Sequence, residues 1–459
     1  MRTKEEYFNS LKDGRKVYFK GQLVEDVTAH PILKFAALHA AKLFEYPDRL
    51  YEDSSLGKIS KFFKVPTSSQ DLLERHKLIY DLTLYSNGMF NISQAIGSDA
   101  LFALMITSKQ VDKKFGTDYS KRVENYYKKV AKEDLTLATA QTDVKGHRKK
   151  RPSEQEDPDL YVRIVDVRSD GIVVKGAKAH TTQSVVADEI IVLPTRAMRD
   201  SDKDYAVAFA VPANAKGLKM YVRSLGEPST TLSKLGLEVE TITIFDNVFV
   251  PWDRVFLFRE YEYAGTLAVL FATYHRFTAL SYRAATVNLY LGASRLMAQV
   301  NGIENEKHVR DDIIDIIMYK EILRATAIAS AIYPTFIEGI AVPDPVITNV
   351  GKLYSNLHFH DVIKDLIDIS GGIIATLPSQ EDFESEEGKE LIKYLRGAVS
   401  GEERLKAIRV AKDLATSPFA GYLMTAMIHA EGSIEASKIE LFRSYNYKES
   451  DELIKKILS

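Results

Sequence analysis

The sequence predicts an α+β chain in which two helical regions flank a β-rich middle. Apolar residues recur at three- and four-residue spacing up to about residue 140. The period drops to two across the middle and returns to helical spacing near Tyr261. Short β-branched runs without regular helices between them favour an antiparallel sheet or small barrel over a doubly wound nucleotide fold. No GxGxxG follows a strand, so a Rossmann site has no support. The domains expected are a helical one over 1–140, a central antiparallel β-domain over 141–260 and a C-terminal helical bundle over 261–459.

In the first region, Pro31 to Lys42 and Ser69 to Met89 carry helical spacing. From Lys109 to Lys132 the chain is highly charged, and Val123, Tyr126 and Val130 leave a narrow apolar stripe, as on a surface helix. A basic segment follows, Lys145-Gly146-His147-Arg148-Lys149-Lys150-Arg151, which suits either phosphates and carboxylates or a solvated loop. Strands are expected at Tyr161 to Val167, Ile172 to Lys175, Val185 to Leu193, Tyr205 to Val211 and Val239 to Phe245, with Gly171 and Gly176 as turns. Pro251 is expected to end the strands. Beyond it, Val309, Ile313, Ile316 and Ile317 mark a helix face that Pro334 terminates, and Gly371-Gly372 breaks a later helix.

Composition narrows the function. A chain that is 45% hydrophobic and 27% charged is globular rather than disordered. With 61 basic against 63 acidic residues it lacks the basic excess of a general nucleic-acid binder. Without cysteine it has no disulfide, thiolate nucleophile or cysteine-ligated zinc or iron–sulfur centre. The first residues lack the apolar core of a signal peptide, and no run approaches the roughly 18 apolar residues of a membrane span. A cytoplasmic protein without membrane or nucleic-acid partners is expected.

Candidate site residues come from spacing. His275, Ala279 and Tyr282 stand at i, i+4 and i+7, with Arg283 at the edge of that face. A histidine, a phenol and a guanidinium together can move a proton and hold an anion, although packing of a core histidine and tyrosine gives the same pattern. Arg196, after the strand ending at Leu193, and Arg276 can bind phosphate or carboxylate. Glu240 shares strand parity with Ile242 and Ile244, so a carboxylate is expected to intrude on an apolar face. A strand-end glutamate in solvent or in an ion pair is the alternative. Trp252 beside Pro251 reads as domain-junction packing.

Several ordered segments resemble the 4-hydroxyphenylacetate 3-hydroxylase / 4-hydroxybutyryl-CoA dehydratase flavoprotein family. They are Asp157-Pro158-Asp159 leading into Tyr161-Val162-Arg163, Gly171 through Thr182, Pro194-Thr195-Arg196-Ala197-Met198, Asp202-Lys203-Asp204-Tyr205-Ala206-Val207, Phe245-Asp246-Asn247-Val248-Phe249-Val250-Pro251, Tyr274-His275-Arg276 and Ser370-Gly371-Gly372. The resemblance covers nearly the whole chain. It implies an acyl-CoA-dehydrogenase-like fold, bound FAD and a homotetramer or homodimer. It implies flavin contacts at Thr142, Asp143, Lys178, Thr182, Arg196, Gly371 and Gly372, and a functional glutamate at Glu240. The related dehydratases hold a four-iron cluster on three cysteines and a histidine. Only the histidine is matched, as His275; the cysteine positions fall on Asn91, Ala95 and Tyr282, so no iron–sulfur cluster is expected. The hydroxylases' Arg-x-Pro-Asp-Tyr motif should fall near Gly88 to Gln94, where this chain reads Gly88-Met89-Phe90-Asn91-Ile92-Ser93-Gln94. The function expected first is an FAD-dependent monooxygenase acting on a small phenolic acid with O2 and a separate flavin reductase. A cluster-free acyl-CoA dehydratase or isomerase is the runner-up, and a non-catalytic flavin-binding scaffold the third.

Overall fold

A computed structural model describes residues 1–224 and 231–459 of the chain. Helices Lys34–Glu45, Ser69–Tyr85, Ala95–Phe115 and Tyr119–Lys132 build most of the first region. Ser68 caps the second by accepting from the Asp71 amide, and Gly116 ends the third at φ 70°, where a side chain would be strained. The stripe of Val123, Tyr126 and Val130 is buried as the spacing predicts. It packs towards the middle of the chain, where the Tyr126 ring meets Phe256 at 5.3 Å.

The β region is two sheets rather than one. The larger runs in the order Gln22–Val24, Val17–Phe19, Leu218–Val222, Thr241–Pro251, Gly171–Lys178, Arg163–Val167. The smaller runs Val255–Phe258, Val207–Pro212, Glu189–Val192, Leu137–Ala140. Ile172, Val174, Phe245 and Val248 of one sheet share a core with Ile190, Val192, Phe209 and Val211 of the other. An edge-on contact of Phe209 and Phe245 at 5.8 Å joins them.

Three expectations are corrected. The pairings of Val17–Phe19 with Leu218–Val222 and of Leu137–Ala140 with Glu189–Val192 are parallel. These partners lie far apart in sequence, so no hairpin forces them antiparallel. Pro251 does not end the strands, because Val255–Phe258 follows on the edge of the smaller sheet. Gly176 is not a turn: it sits inside Gly171–Lys178 at φ 132°, and a Cβ there would meet the Tyr161 carbonyl oxygen at 2.3 Å.

The C-terminal bundle packs helices Tyr261–Asn301, Lys307–Ile332 and Pro345–Ser370 on one another, with Gly401–Ala415, Pro418–His429 and Ile434–Ser444 laid across them. Val309 and Ile316 are buried, but Ile317 is exposed, so that stripe is narrower than the sequence suggests. Gly371 ends Pro345–Ser370 at φ 70°. Among the described residues no helix is long and apolar enough to cross a membrane.

Candidate active site

Helix Tyr261–Asn301 carries His275, Tyr282 and Arg283, and the structure gives them two different carboxylate partners. His275 Nδ1 lies 3.3 Å from Asp99 Oδ2. The other oxygen of Asp99 accepts from Arg75 at 2.6 Å and from the Thr278 hydroxyl at 3.0 Å. Asp99 and Arg75 are buried, so this carboxylate is held from two sides and fixes the imidazole with Nδ1–H donating to it. The Nε2 edge is left for other work. The Phe271 ring stacks on the imidazole at 5.3 Å.

Two turns further along, Tyr282 and Arg283 converge on Glu431. The Tyr282 hydroxyl donates to Oε1 at 2.6 Å and Arg283 donates to Oε2 at 2.6 Å. Lys352 Nζ, fully buried on the neighbouring helix, approaches Oε2 at 3.5 Å and also donates to Asn356. Arg276 donates to the Glu431 carbonyl at 3.0 Å and to Asn349 at 2.6 Å. Burial alone would push the Glu431 carboxyl up, but Arg283 and Lys352 win and bring it down to about 2. Burial, joined by Arg283, lowers the Lys352 ammonium well below its usual range. Sequence spacing did not find Glu431. It occupies a left-handed turn at φ 56° between Ala430 and Gly432, where no periodicity marks it.

The third carboxylate group lies on the sheet. Glu240 precedes Thr241–Pro251, and its parity mates Ile242 and Ile244 are exposed and half-buried, whereas Thr241, Thr243 and Phe245 are buried. Glu240 therefore lies on the outer face of the sheet, the face it shares with Ile242 and Ile244. Its oxygens accept from the Thr182 hydroxyl at 2.8 and 2.9 Å and stand 2.9 Å from the Tyr422 hydroxyl on helix Pro418–His429. The same hydroxyl lies 3.1 Å from Glu238. The Arg223 guanidinium covers the Tyr422 ring at 3.8 Å. Burial raises both carboxyls; Thr182 and Tyr422 temper the rise at Glu240, while Glu240's charge adds to it at Glu238, which reaches about 8.

The remaining predicted residues divide. Lys178 Nζ donates to Asp143 at 2.6 Å and to the carbonyls of Gln141 and Leu193 at 2.8 and 2.9 Å, so its three protons are all committed. Asp143 also accepts from Thr195. This pair ties the two sheets together. Thr142 joins the same strand edge, its carbonyl accepting from Ala179. Arg196 is exposed beside the Tyr161 hydroxyl. Gly371 and Gly372 are exposed at the far end of Pro345–Ser370, about 28 Å along the helix from Lys352 at its usual rise per residue.

The residues at the expected cluster positions do not suit one. Asn91 donates to the carbonyls of His39 and Ala40, Ala95 opens a helix, and the Tyr282 ring stacks on Phe90 at 4.0 Å. No thiolate is present anywhere in the sequence. A flavin fits better. Ala177 and Ile244 face each other across the register on the sheet's outer face, with Ile242 exposed beyond them, a surface of small and apolar side chains open to a flat ring. In the loop after Gly171–Lys178 the buried Thr181 hydroxyl and Gln183 side-chain oxygen have no hydrogen-bond partner among the described residues.

Profiles described as "4-hydroxyphenylacetate 3-hydroxylase N terminal" and "C terminal" match residues 3–257 and 264–459. The chain is 34% identical to the 4-hydroxybutyryl-CoA dehydratase/vinylacetyl-CoA-Delta-isomerase of Clostridium aminobutyricum, covering 99% of each. It is 32% identical to the 4-hydroxyphenylacetate 3-monooxygenase oxygenase component of Thermus thermophilus, covering 91% of this chain and 89% of that one. An oxygen-tolerant 4-hydroxybutyryl-CoA dehydratase structure from N. maritimus superposes with TM-score 0.94 at 32% identity, covering 100% and 95% of the two chains. A 4-hydroxyphenylacetate 3-monooxygenase oxygenase component complexed with FAD gives 0.92 at 27% identity over 100% and 98%. The helix–sheet–helix architecture is thus the acyl-CoA-dehydrogenase-like one, and the chain belongs to the 4-hydroxyphenylacetate 3-hydroxylase / 4-hydroxybutyryl-CoA dehydratase flavoprotein family.

Proposed function

We propose that this chain is an FAD-binding acyl-CoA enzyme that works without an iron–sulfur cluster, and that it moves protons on a small unsaturated acyl thioester. The observation that carries the reading is a pair of differently prepared groups. Glu240 is a carboxylate held by hydroxyls, and His275 is an imidazole oriented by Asp99. Glu431 lies within electrostatic reach of both. The dehydratase/isomerase relative, matched end to end, supports this reading over the phenol hydroxylation favoured by the sequence.

FAD would rest on the outer face at Ala177, Thr182 and Ile244, and when bound supplies one- or two-electron redox chemistry. The chain's own residues supply the acid–base steps. The carbon between a β,γ double bond and a thioester carbonyl is the most acidic in such a substrate. Glu240 takes a proton there, and its raised affinity for protons makes it a stronger base than a free glutamate. The C–H electron pair becomes part of a dienolate. His275 then gives a proton from Nε2 to the γ carbon, the original double-bond pair forms that C–H bond, and the product is the conjugated thioester. Asp99 holds Nδ1 and keeps the ring oriented during that transfer.

The test is anaerobic incubation with vinylacetyl-CoA in heavy water, following formation of the conjugated thioester and deuterium uptake. Neither product nor label would sink the reading. Phenol hydroxylation remains the second reading, supported by the 32% identical oxygenase component. It requires reduced FAD, O2 and a flavin reductase to yield a catechol from 4-hydroxyphenylacetate, which the first reading does not.

A further inference from the structure

Tyr422 offers one proton to two carboxylates. A phenol hydroxyl has a single O–H donor and two acceptor lone pairs. Yet the Tyr422 hydroxyl stands within hydrogen-bond distance of both Glu238, at 3.1 Å, and Glu240, at 2.9 Å. It can donate to only one of them. The other contact is attractive only if that carboxyl group carries a proton and donates to the phenol oxygen. The Thr182 hydroxyl settles the direction, because it reaches both oxygens of Glu240 at 2.8 and 2.9 Å and nothing comparable reaches the Glu238 oxygens among the described residues. Glu240 is then the acceptor of two hydroxyls and Glu238 the acid.

The geometry points to Glu238 and Tyr422 as a proton relay behind Glu240: the two glutamates share one proton, which crosses between them through the Tyr422 hydroxyl. In the forward step the Glu238 O–H bond breaks as its proton joins the phenol oxygen. The phenol's own O–H bond breaks as its proton joins Glu240, and Glu238 is left as the carboxylate. No oxidant or further reactant is needed. With the proton on Glu238, Glu240 is a base; with the proton moved, Glu240 is an acid. The charge count agrees. Arg223 lies over the Tyr422 ring at 3.8 Å and donates to the Glu238 carbonyl at 3.0 Å. One proton and one guanidinium balance two enclosed carboxyl groups, whereas two carboxylates would not be balanced. The groups that face the pair are Tyr422 from helix Pro418–His429, Thr182 from the loop after Gly171–Lys178, Arg223 after Leu218–Val222, and Glu431 at longer range. Burial and the neighbouring charge hold the Glu238 proton up to about 8.

The relay rests on Glu240 being the base of the proposed proton transfer, but its test does not. Infrared difference spectra of the full-length protein, titrated from neutral to alkaline pH, report the carbonyl stretch of a protonated carboxylic acid. Wild type is expected to show such a band fading with a midpoint near 8, Glu238→Gln to lack it, and Tyr422→Phe to shift its frequency. No band in wild type, or an unchanged band in Glu238→Gln, overturns the relay whatever the substrate proves to be. Should Glu238→Gln fail to fold, NMR of 13C-glutamate-labelled wild type decides the same point, by the presence or absence of one carboxyl titrating near 8. On an accepted substrate, Glu238→Gln is expected to lose the alkaline limb of the pH–rate profile and to turn over roughly tenfold more slowly at neutral pH. A normal band with an inert acyl-CoA screen would remove the substrate reading and leave the relay standing.

Discussion

Glu431 and Glu238 are both enclosed glutamates, each accepting or sharing a tyrosine hydroxyl, yet the fold drives them to opposite protonation states. Glu431 meets Arg283 at 2.6 Å and the buried Lys352 at 3.5 Å, and is held down to about 2. Glu238 meets another glutamate across Tyr422 and is pushed up to about 8. Desolvation acts on both in the same direction. What decides between them is whether the nearest charge is a cation or a second anion. The helix-side carboxylate is thereby a fixed anion that clamps Tyr282 and Arg283, and the sheet-side pair is an exchangeable proton store.

The difference is broken most severely at Glu431. Glu431→Gln leaves Arg283 and Lys352 facing each other without a carboxylate, and an uncompensated buried charge costs about 3–5 kcal/mol. Chemical denaturation is expected to show that loss, and a wild-type midpoint in the variant would show that the clamp contributes nothing. The pH dependence follows from the sign. A lowered carboxyl contributes stability that is present above its free value of 4.5 and lost as pH falls towards about 2. Glu431→Gln is therefore expected to flatten the acid limb of the stability curve.

Glu238 acts on the other side of neutrality. Its carboxyl is raised, so its contribution is complete below 4.5 and lost as pH rises through about 8. Glu238→Gln is expected to gain on wild type across that window, by on the order of a few kcal/mol at its alkaline end. Thermal melts at several pH values would read it. Parallel curves for the two proteins would mean that the Glu238 carboxyl titrates as it does in the unfolded chain.

How much of this the sequence shows depends on what sets each feature. The order of helices, strands and helices follows from periodicity, which is local, and His275, Tyr282 and Arg283 fall on one helix because their spacing is helical. Their partners are not local. Asp99 comes from 176 residues away and Glu431 from 149, each from an element whose own pattern gives no sign of the contact. Parity placed Glu240 with Ile242 and Ile244 correctly, but parity cannot say which face is the core. Lys178 looked free to hold a cofactor, and it is instead consumed by Asp143 and by the carbonyls that follow the strands Leu137–Ala140 and Glu189–Val192 of the other sheet.

On the proton-transfer side, Glu240→Gln keeps the shape of the side chain and can still accept from Thr182, so folding and flavin binding are expected to survive. Turnover should fall by roughly tenfold or more if proton transfer limits the reaction. Unchanged turnover on a true substrate would take Glu240 out of the mechanism, and loss of folding would make it structural.

The smallest effect, and the finest test of the comparison, is the same substitution made on both sides. Tyr282→Phe keeps the ring stacked on Phe90 at 4.0 Å and removes only the hydroxyl that donates to Glu431. Arg283 still holds that carboxylate, so the expected cost is about 1–2 kcal/mol, the worth of one hydrogen bond to a charged group. The clamp stays ionised, and the acid limb shifts only slightly towards higher pH. Tyr422→Phe removes a hydroxyl of the same kind, but here the hydroxyl is the only link between the carboxylates among the described residues. Stability at neutral pH should change by a similar amount, while the form of the alkaline limb changes with it, because Glu238 then titrates without a partner to share its proton. If both variants lose stability equally at every pH, the two tyrosines do the same thing and the contrast between fixed anion and proton store fails. If only Tyr422→Phe alters the pH dependence above neutrality, the contrast holds at the level of single hydroxyl groups.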